Sequence, residues 1–205
     1  MNERNLMKYL LMAILSLVPV SINAQTVSVN IIDESGSPVE NAVISLVSAD
    51  ASKNFHDGPK RNPIMVQEGQ EFVPTVLPVS KGSEVFFPNR DNFRHMIYSF
   101  SEAKRFEVQL YGGDDQISVN FDKEGAVVLG CNIHDNMVGY VYVIDTDNFA
   151  KSDVSGTVEL TNLQPGTYDA TVWHPNLERN FEDVTQSVVI VDGQLVNLEF
   201  SVKLQ

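Results

Sequence analysis

One short stretch, GCNIHDNMVGY at 130–140, carries three side chains that can bind a soft metal ion. Cys131 is the only cysteine of the chain, and His134 and Met137 follow it at intervals of three residues. Thiolate, imidazole and thioether are soft or borderline donors, and two imidazoles, one thiolate and a weak thioether form the donor set of blue-copper sites. The spacing therefore predicts a metal site that still needs a second imidazole.

Three other histidines could supply that imidazole. His56 lies in the polar stretch 51–63, where a solvated side chain is the default. His174 ends an apolar run, where a structural hydrogen bond is the common use of a histidine. His95 opens the apolar run MIYSF after a polar turn. The residues alone leave all three open.

Other interpretations of Cys131 also remain open. Zinc binds cysteine and histidine as well, but zinc sites rarely use a thioether, so the methionine favours copper. A red-copper site would need a carboxylate ligand, for which Glu68, Glu71 and Asp135 are candidates. Cys131 could also be a buried free thiol, although exported proteins usually pair their cysteines.

The first 24 residues are typical of an export signal. Arg4 and Lys8 precede an apolar run at 9–20, and Ser21-Ile22-Asn23-Ala24 offers a small-residue cleavage site. The run is short for a membrane span, so an uncleaved anchor is the weaker alternative. We expect a Sec-type signal peptide over 1–24 and a periplasmic protein that is not inserted in the membrane after cleavage.

The charge of the chain restricts its partners. The net charge is −13, and removal of residues 1–24 takes away two basic residues and one acidic residue, which leaves −14. Nucleic acid and anionic membrane surfaces would repel such a protein. An apolar fraction of 43% is nevertheless sufficient for a packed core.

The pattern of apolar residues predicts an all-β protein. Beyond the leader, no segment has a clear helical period, and short apolar runs alternate with turn signals such as Lys81-Gly82 and Asp192-Gly193. Many short strands at this spacing indicate a sandwich or a barrel. The predicted strands are 27–32, 42–47, 72–79, 84–87, 96–100, 106–110, 117–121, 126–129, 140–144, 157–160, 167–173, 187–191 and 196–202.

Residues 64–145 resemble a cupredoxin domain, a Greek-key β-sandwich that binds one copper ion. The resemblance implies that His95, Cys131 and His134 are equatorial ligands and that Met137 is the axial ligand. One departure is Met96, where many cupredoxins have asparagine; strand alternation places its side chain away from the site, in a core. The matching frame is Phe72, Pro74, Leu77, Val79, Gly82, Val85, Phe87, Asn89, His95, 125–131, His134, Met137 and 139–145.

The flanks, 27–50 and 151–175, resemble two parts of a small antiparallel carboxypeptidase regulatory-like β-sandwich, into which the cupredoxin-like domain is inserted or to which it is joined. The stretches 51–63 and 145–152 are the predicted connections. The wider arrangement is similar to exported cupredoxin-like proteins often labelled methylamine utilization proteins. The predicted divisions are 1–24 signal peptide, 25–63 first sandwich part, 64–145 copper domain and 146–205 second sandwich part.

The resemblance implies an electron carrier rather than an enzyme, and no catalytic motif such as G-x-S-x-G or H-E-x-x-H is present. His134 would be the electron exit, surrounded by Ile133, Val138 and Pro88, and Asp135 would help to choose a redox protein partner. A protein for copper storage, delivery or sensing is the main alternative. An adhesion or scaffold module that retains a metal fold is the third.

Overall fold

The computed structural model describes residues 25–55, 62–113, 115, 117–134, 136–178 and 184–205, and the predicted signal peptide lies outside them. The all-β prediction is confirmed, since the one helical segment among these residues is a short 3₁₀ turn at Ala51–Lys53. No helix in the described part is long and apolar enough to cross a membrane. The strands are β1 (Thr26–Asp33), β2 (Val43–Ser48), β3 (Val66–Glu68), β4 (Glu71–Val73), β5 (Val76–Ser80), β6 (Ser83–Phe86), β7 (His95–Phe100), β8 (Arg105–Tyr111), β9 (Ser118–Phe121), β10 (Gly125–Gly130), β11 (Val138–Ile144), β12 (Phe149–Lys151), β13 (Thr157–Thr161), β14 (Gly166–Trp173), β15 (Thr185–Ile190) and β16 (Leu195–Val202).

Strands β3–β11 form what we call the central sandwich. One layer is the five-stranded sheet β5-β11-β10-β7-β8, in which β5 pairs with β11 in parallel and the other pairs are antiparallel. The other layer contains the β6–β9 pair and the β3–β4 hairpin, joined through bridges from Ile64 to Phe86 and from Gln67 to Asn89. Alternate residues of both layers, such as Val85 and Val127, share one buried core.

Strands β1, β2 and β12–β16 form the flanking sandwich. Its sheets are β13-β1-β16 and β12-β2-β14-β15. In β1 the inward residues Val27, Val29 and Ile31 are buried and alternate with more exposed ones, as a strand with one face on a core requires. β1 pairs with β16 in parallel, from Thr26 with Leu195 to Asp33 with Val202.

The two sandwiches meet at a small apolar junction on the outer face of β11. Val43, Val76 and Ile144 are buried there, and Phe149 packs against them. The Trp173 ring stacks on Tyr142 with centroids 4.4 Å apart and planes 7° from parallel, and it contacts Tyr140 edge-on at 6.2 Å. Lys151 Nζ adds a polar link by donating to the carbonyl of Val76 at 3.2 Å.

The predicted connections have more structure than their sequence indicated. Phe149–Lys151 forms β12, which pairs with β2. Thr146 and Asn148 are buried because their polar groups bond across to the other connection: Thr146 Oγ1 donates to the carbonyl of Asn54 at 2.9 Å, and Asn148 Nδ2 donates to that of Lys53 at 2.8 Å. Polar residues that resemble a linker in the sequence are therefore part of a packed contact. The domain boundaries at 63 and 145 remain predictions.

Two further differences concern the central sandwich. The predicted strand 72–79 is two strands, β4 and β5, because Pro74 between them has no N–H to give to a ladder. The three-residue strand β3 was missed, since so short a run shows no periodicity. Both differences lie beside the predicted metal site.

Candidate metal centre

Three of the four predicted ligands meet at one end of the central sandwich. His95 is the first residue of β7, Cys131 directly follows β10, and His134 lies in the turn between β10 and β11. Cys131 Sγ is 3.7 Å from His95 Nδ1 and 3.8 Å from His134 Nδ1, and the donor atoms of the three residues all lie within 4.8 Å of one another. His95 and Cys131 are buried, and His134 is half-buried.

These separations fit one shared metal ion. A thiolate about 2.3 Å and an imidazole nitrogen about 2.05 Å from the same ion lie about 3.6 Å apart at a tetrahedral angle and about 3.8 Å apart at a trigonal one. The two observed sulfur–nitrogen distances, 3.7 and 3.8 Å, match that range. If Cys131 were a free thiol beside two unrelated histidines, nothing would require both sulfur–nitrogen distances to fall in the range calculated for a shared ion.

Met137, the predicted axial ligand, is 1% exposed and belongs to the same buried cluster as Cys131. A backbone hydrogen bond from Met137 N to the carbonyl of His134, 2.9 Å long, closes the turn between them. The turn therefore directs a thioether into the buried cluster that contains Cys131. Its role as a ligand remains a prediction.

The other candidate ligands are not part of this group. His174 lies just after β14 in the flanking sandwich, where its Nδ1 accepts from the N–H of Asn176 at 3.2 Å. Glu68 is exposed beside Arg90 and Glu71 is exposed, so neither carboxylate joins the buried donors. His56 and Asp135 lie outside the described residues.

Asp91 holds the far side of the His95 ring. Its Oδ2 lies 2.7 Å from His95 Nε2, which leaves Nδ1 facing Cys131. The two-residue turn Gly69-Gln70 joins β3 to β4 with φ values of 65° and 62°, as a type I′ hairpin turn requires. That turn aims both N–H groups at the Asp91 carboxylate, at 2.8 and 3.1 Å. Metal-binding histidines are commonly oriented by a carboxylate in this way.

The Asp91 carboxylate is kept ionised by these contacts. Partial burial by itself would raise its pKa, but the hydrogen bonds from His95, Gly69 and Gln70 outweigh burial and lower the pKa of Asp91. A fixed negative charge therefore lies beside one of the predicted ligands. Sequence reasoning missed Asp91, because the residue stands in a polar stretch that resembles an ordinary surface turn.

Asn89 and Tyr111 brace the backbone behind the site. Asn89 Nδ2 donates to the carbonyls of Phe93 and Tyr111, at 2.8 and 3.3 Å, and its Oδ1 accepts from the N–H of Asp91 at 2.9 Å. Tyr111 Oη donates to the carbonyl of Phe87 at 2.9 Å. Burial, and then the proximity of Cys131, raise the pKa of Tyr111, so the phenol keeps the proton that it donates.

An apolar surface lies beside His134. The Phe93 ring contacts both histidines, with centroids 5.0 Å from His95 and 5.4 Å from His134. Ile133 is 50% exposed and Val138 is 39% exposed, as expected of this surface. Phe93 was missed, since nothing in a polar turn distinguishes a phenylalanine that stacks on histidine.

Two other residues were expected near the site. Pro88 is half-buried beside the bridge that joins β3 to the segment after β6, where its carbonyl accepts from Gln67 N at 2.9 Å; its place beside His134 stays a prediction. Met96 is half-buried and lies outside the apolar clusters, so the expectation that it packs in a core is wrong. Its strand neighbour His95 points to the opposite, buried side.

Glycines allow close packing on both sides of the ligand turn. A Cβ added at Gly130, directly before Cys131, would lie 2.6 Å from the Tyr98 ring. A Cβ at Gly139, two residues after Met137, would lie 2.7 Å from Phe72 Cβ. Both contacts are shorter than carbon atoms tolerate, so larger residues would displace the strands that carry the donors.

No protein-family model and no curated protein match the chain. The solved structures that are similar to it include cupredoxins, the family that the sequence resembles. A purple cupredoxin from Nitrosopumilus maritimus is 23% identical with a TM-score of 0.37, and it covers 40% of this chain and 100% of its own. An amicyanin mutant in its reduced Cu(I) form at pH 4 is 18% identical with a TM-score of 0.39, and an oxidised amicyanin mutant is 17% identical with a TM-score of 0.38. Each covers 51% of this chain and 100% of its own.

Proposed function

We propose that this protein binds one copper ion through His95, Cys131, His134 and Met137 and carries single electrons. The observation behind the proposal is the buried Cys131 sulfur, which lies 3.7 and 3.8 Å from two imidazole nitrogens. Two imidazoles and one thiolate, with a thioether in the same core, suit copper better than zinc.

The residues around the donors suit electron transfer better than catalysis. When bound, copper would supply a one-electron couple between Cu(I) and Cu(II). Cys131, Met137 and His95 are each at most 3% exposed, so bulk water has little access to three of the donors. Asp91 fixes the orientation of the His95 ring. A site with four protein donors has no obvious open position for a substrate.

His134 and the apolar surface beside it are the proposed place of electron exchange. His134 is the most exposed of the three clustered donors, and the exposed Phe93 ring contacts it. Ile133 and Val138, near it in the chain, add exposed apolar area. A redox protein with a complementary apolar patch would bring its own centre close to this ring. The chain's net charge of −13 favours a partner with a basic surface.

Export through a Sec-type signal peptide to the periplasm is part of the same proposal. It rests on the residue pattern of 1–24. A metal centre acquired after export would then be filled from the periplasmic copper pool, and the lone thiol would be kept from oxidation by coordination and burial.

The proposal is tested with protein that lacks residues 1–24, reconstituted with Cu(II). We expect an intense visible thiolate-to-copper absorption band, a copper electron-spin signal and reversible one-electron cycling. Cys131→Ser should abolish the band completely, whereas His174→Gln, a histidine change outside the site, should leave it intact.

Two other results would count against electron transfer. A colourless wild-type protein without a copper signal would overturn the proposed centre. Tight Cu(I) binding without reversible cycling would instead support copper storage or delivery.

A further inference from the structure

The proposed copper ion must reach donors that the folded protein buries. His95 is 0% exposed, Met137 is 1% exposed and Cys131 is 3% exposed, whereas His134 is half-buried. Since the proposed export precedes metal binding, an ion that arrives at the folded protein needs a movement that opens the site. The side chain that moves must contact the donors and must have free space beside it.

Phe93 meets the first of these requirements. Its ring centroid lies 5.0 Å from that of His95 and 5.4 Å from that of His134, and the two imidazole centroids are 5.2 Å apart. The three rings form a triangle in which Phe93 is the exposed member. An ion that approaches the two imidazoles from this side therefore meets the phenyl ring first.

An open pocket beside Phe93 meets the second requirement. This pocket, which we call the side pocket, has a volume of about 510 Å³, and Phe93 is one of the described residues that line it. A cavity of about 150 Å³ is large enough for a benzene ring. The side pocket can therefore receive the phenyl group and still leave most of its volume for an ion.

The backbone of Phe93 is fixed, so the movement is confined to its side chain. Asn89, which is buried, donates from Nδ2 to the Phe93 carbonyl at 2.8 Å. Two residues further on, His95 begins β7. An exposed side chain changes its rotamer within picoseconds to nanoseconds. The ring can therefore leave the imidazoles without any rearrangement of the strands.

The charge of the side pocket suits a cation. Its described lining includes the carboxylates of Asp91 and Asp115 and the guanidinium of Arg94, and two formal negative charges against one positive charge leave a net charge of −1. The Asp91 carboxylate also lies 2.7 Å from His95 Nε2, so it connects the pocket to a predicted ligand. A cation in the pocket is therefore attracted toward the imidazoles.

We propose that the side pocket is the entry route of the copper ion and that the Phe93 ring is the gate of this route. The inference rests on the proposed copper site and adds a route and a residue outside its ligand set. In the closed state the ring covers both imidazoles, and in the open state it lies in the pocket. Because a gate changes only the path between the free and bound states, it affects uptake and release equally and leaves the affinity unchanged.

The first test removes the ring from the metal-free protein with Phe93→Ala. Cu(II) uptake, followed by rapid mixing as growth of the thiolate-to-copper band, should be about tenfold faster, because an open state populated to about 10% slows binding by that factor. Release to an excess of chelator should be faster by the same factor. Phe93→Tyr, which keeps the ring, should retain the wild-type rates. So should Phe100→Ala, an exposed aromatic residue at the other end of β7.

The second test fills the side pocket and predicts the opposite change. A Cβ added at Gly112, which lines the pocket, would meet no described atom within 4 Å. Gly112→Ala and Gly112→Leu therefore add side chains of increasing size to the pocket. Uptake and release should slow in that order at unchanged affinity, because the ring has less room to open. Urea unfolding checks that both variants are folded.

Several outcomes would overturn the inference. Unchanged uptake in Phe93→Ala is one, and faster release with unchanged uptake is another, since the ring would then only support the bound ion. Wild-type uptake in both folded Gly112 variants would show that the ring does not open into the side pocket.

A measurement without copper separates this inference from the proposed function. Alkylation of buried Cys131 by iodoacetamide in the metal-free protein should be faster in Phe93→Ala and slower in Gly112→Leu than in wild type. A wild-type protein that binds no copper would refute the proposed function, and the alkylation rates would still decide whether Phe93 controls access to the thiol. Equal alkylation rates in all three proteins would overturn the gate.

Discussion

In both the central and the flanking sandwich, aspartate carboxylates accept backbone N–H groups of turns, but the two sandwiches use this contact differently. In the flanking sandwich Asp33 accepts the N–H groups of Ser35 and Ser37, and Asp153 accepts those of Ser155 and Thr157. In the central sandwich Asp91 likewise accepts two backbone N–H groups. The first two carboxylates satisfy only their own turns, whereas the third also holds a buried histidine.

The cores of the two sandwiches also differ, in the types of side chain that they contain. The core cluster of the flanking sandwich is aliphatic apart from Tyr168 and Phe200. That of the central sandwich contains the sulfur atoms of Met65, Cys131 and Met137, and polar His95 is buried at its end. Buried polar residues of the flanking strands, such as Ser45 and Ser48, donate to backbone carbonyls. The central sandwich instead buries sulfur atoms and a histidine that face one another, which is a cost that a metal ion can offset.

The largest effect on stability is expected at the junction between the two sandwiches. Trp173→Ala removes the ring stacked on Tyr142, and we expect a loss of about 2 kcal/mol, below the 3–5 kcal/mol typical of fully buried aromatic residues. The measurement is urea unfolding followed by circular dichroism. Phe100→Ala, an aromatic residue 73% exposed on the sheet that contains Tyr142, is the control and should change stability by under about 0.5 kcal/mol. Equal effects of the two variants would show that the junction contributes nothing.

The next effect separates the two kinds of aspartate. Asp91→Asn keeps an acceptor oxygen but removes the charge beside His95, so we expect metal affinity to fall about tenfold, at the low end for such partners. Competition titration with a chelator measures it. The comparison with Asp153→Asn is decisive, because that variant should leave metal affinity unchanged. A similar loss in both variants would mean that turn stability, and not the orientation of His95, controls binding.

The smallest effect concerns acid stability in the flanking sandwich. Burial lowers the pKa of His174 from its usual 6.5, and a hydrogen bond with the backbone of Glu40 offsets part of that shift. The folded state therefore binds fewer protons than the unfolded state, and stability is lost as the pH falls through about 6.5. His174→Gln in metal-free protein should lose less stability than wild type between about pH 7.5 and pH 5. Unfolding curves at both pH values check this, and an identical loss in the two proteins would contradict it.

Sequence reasoning found the strands and the pair Cys131 and His134 because local patterns show both, whereas His95 was selected by the family resemblance. Alternation marks β1 and β10, and the spacing of Cys131, His134 and Met137 reflects one tight turn. Sequence reasoning missed the residues whose roles depend on contacts between distant segments of the chain. Asp91 acquires its role from a hairpin turn some 20 residues earlier, at Gly69-Gln70. Buried Thr146 looked like linker because its partners lie 92 and 100 residues away.

The parallel pairing of β1 with β16 also governs the order in which the molecule can form. Thr26 pairs with Leu195, so the sheet β13-β1-β16 cannot close until the last strand has been synthesised. The strands that carry His95, Cys131 and His134 lie within residues 66–144 and depend on much shorter loops. Contacts of lower sequence separation form faster. The metal-binding pocket can therefore form before β1 pairs with β16. The slow closure of the flanking sandwich need not delay binding of the ion.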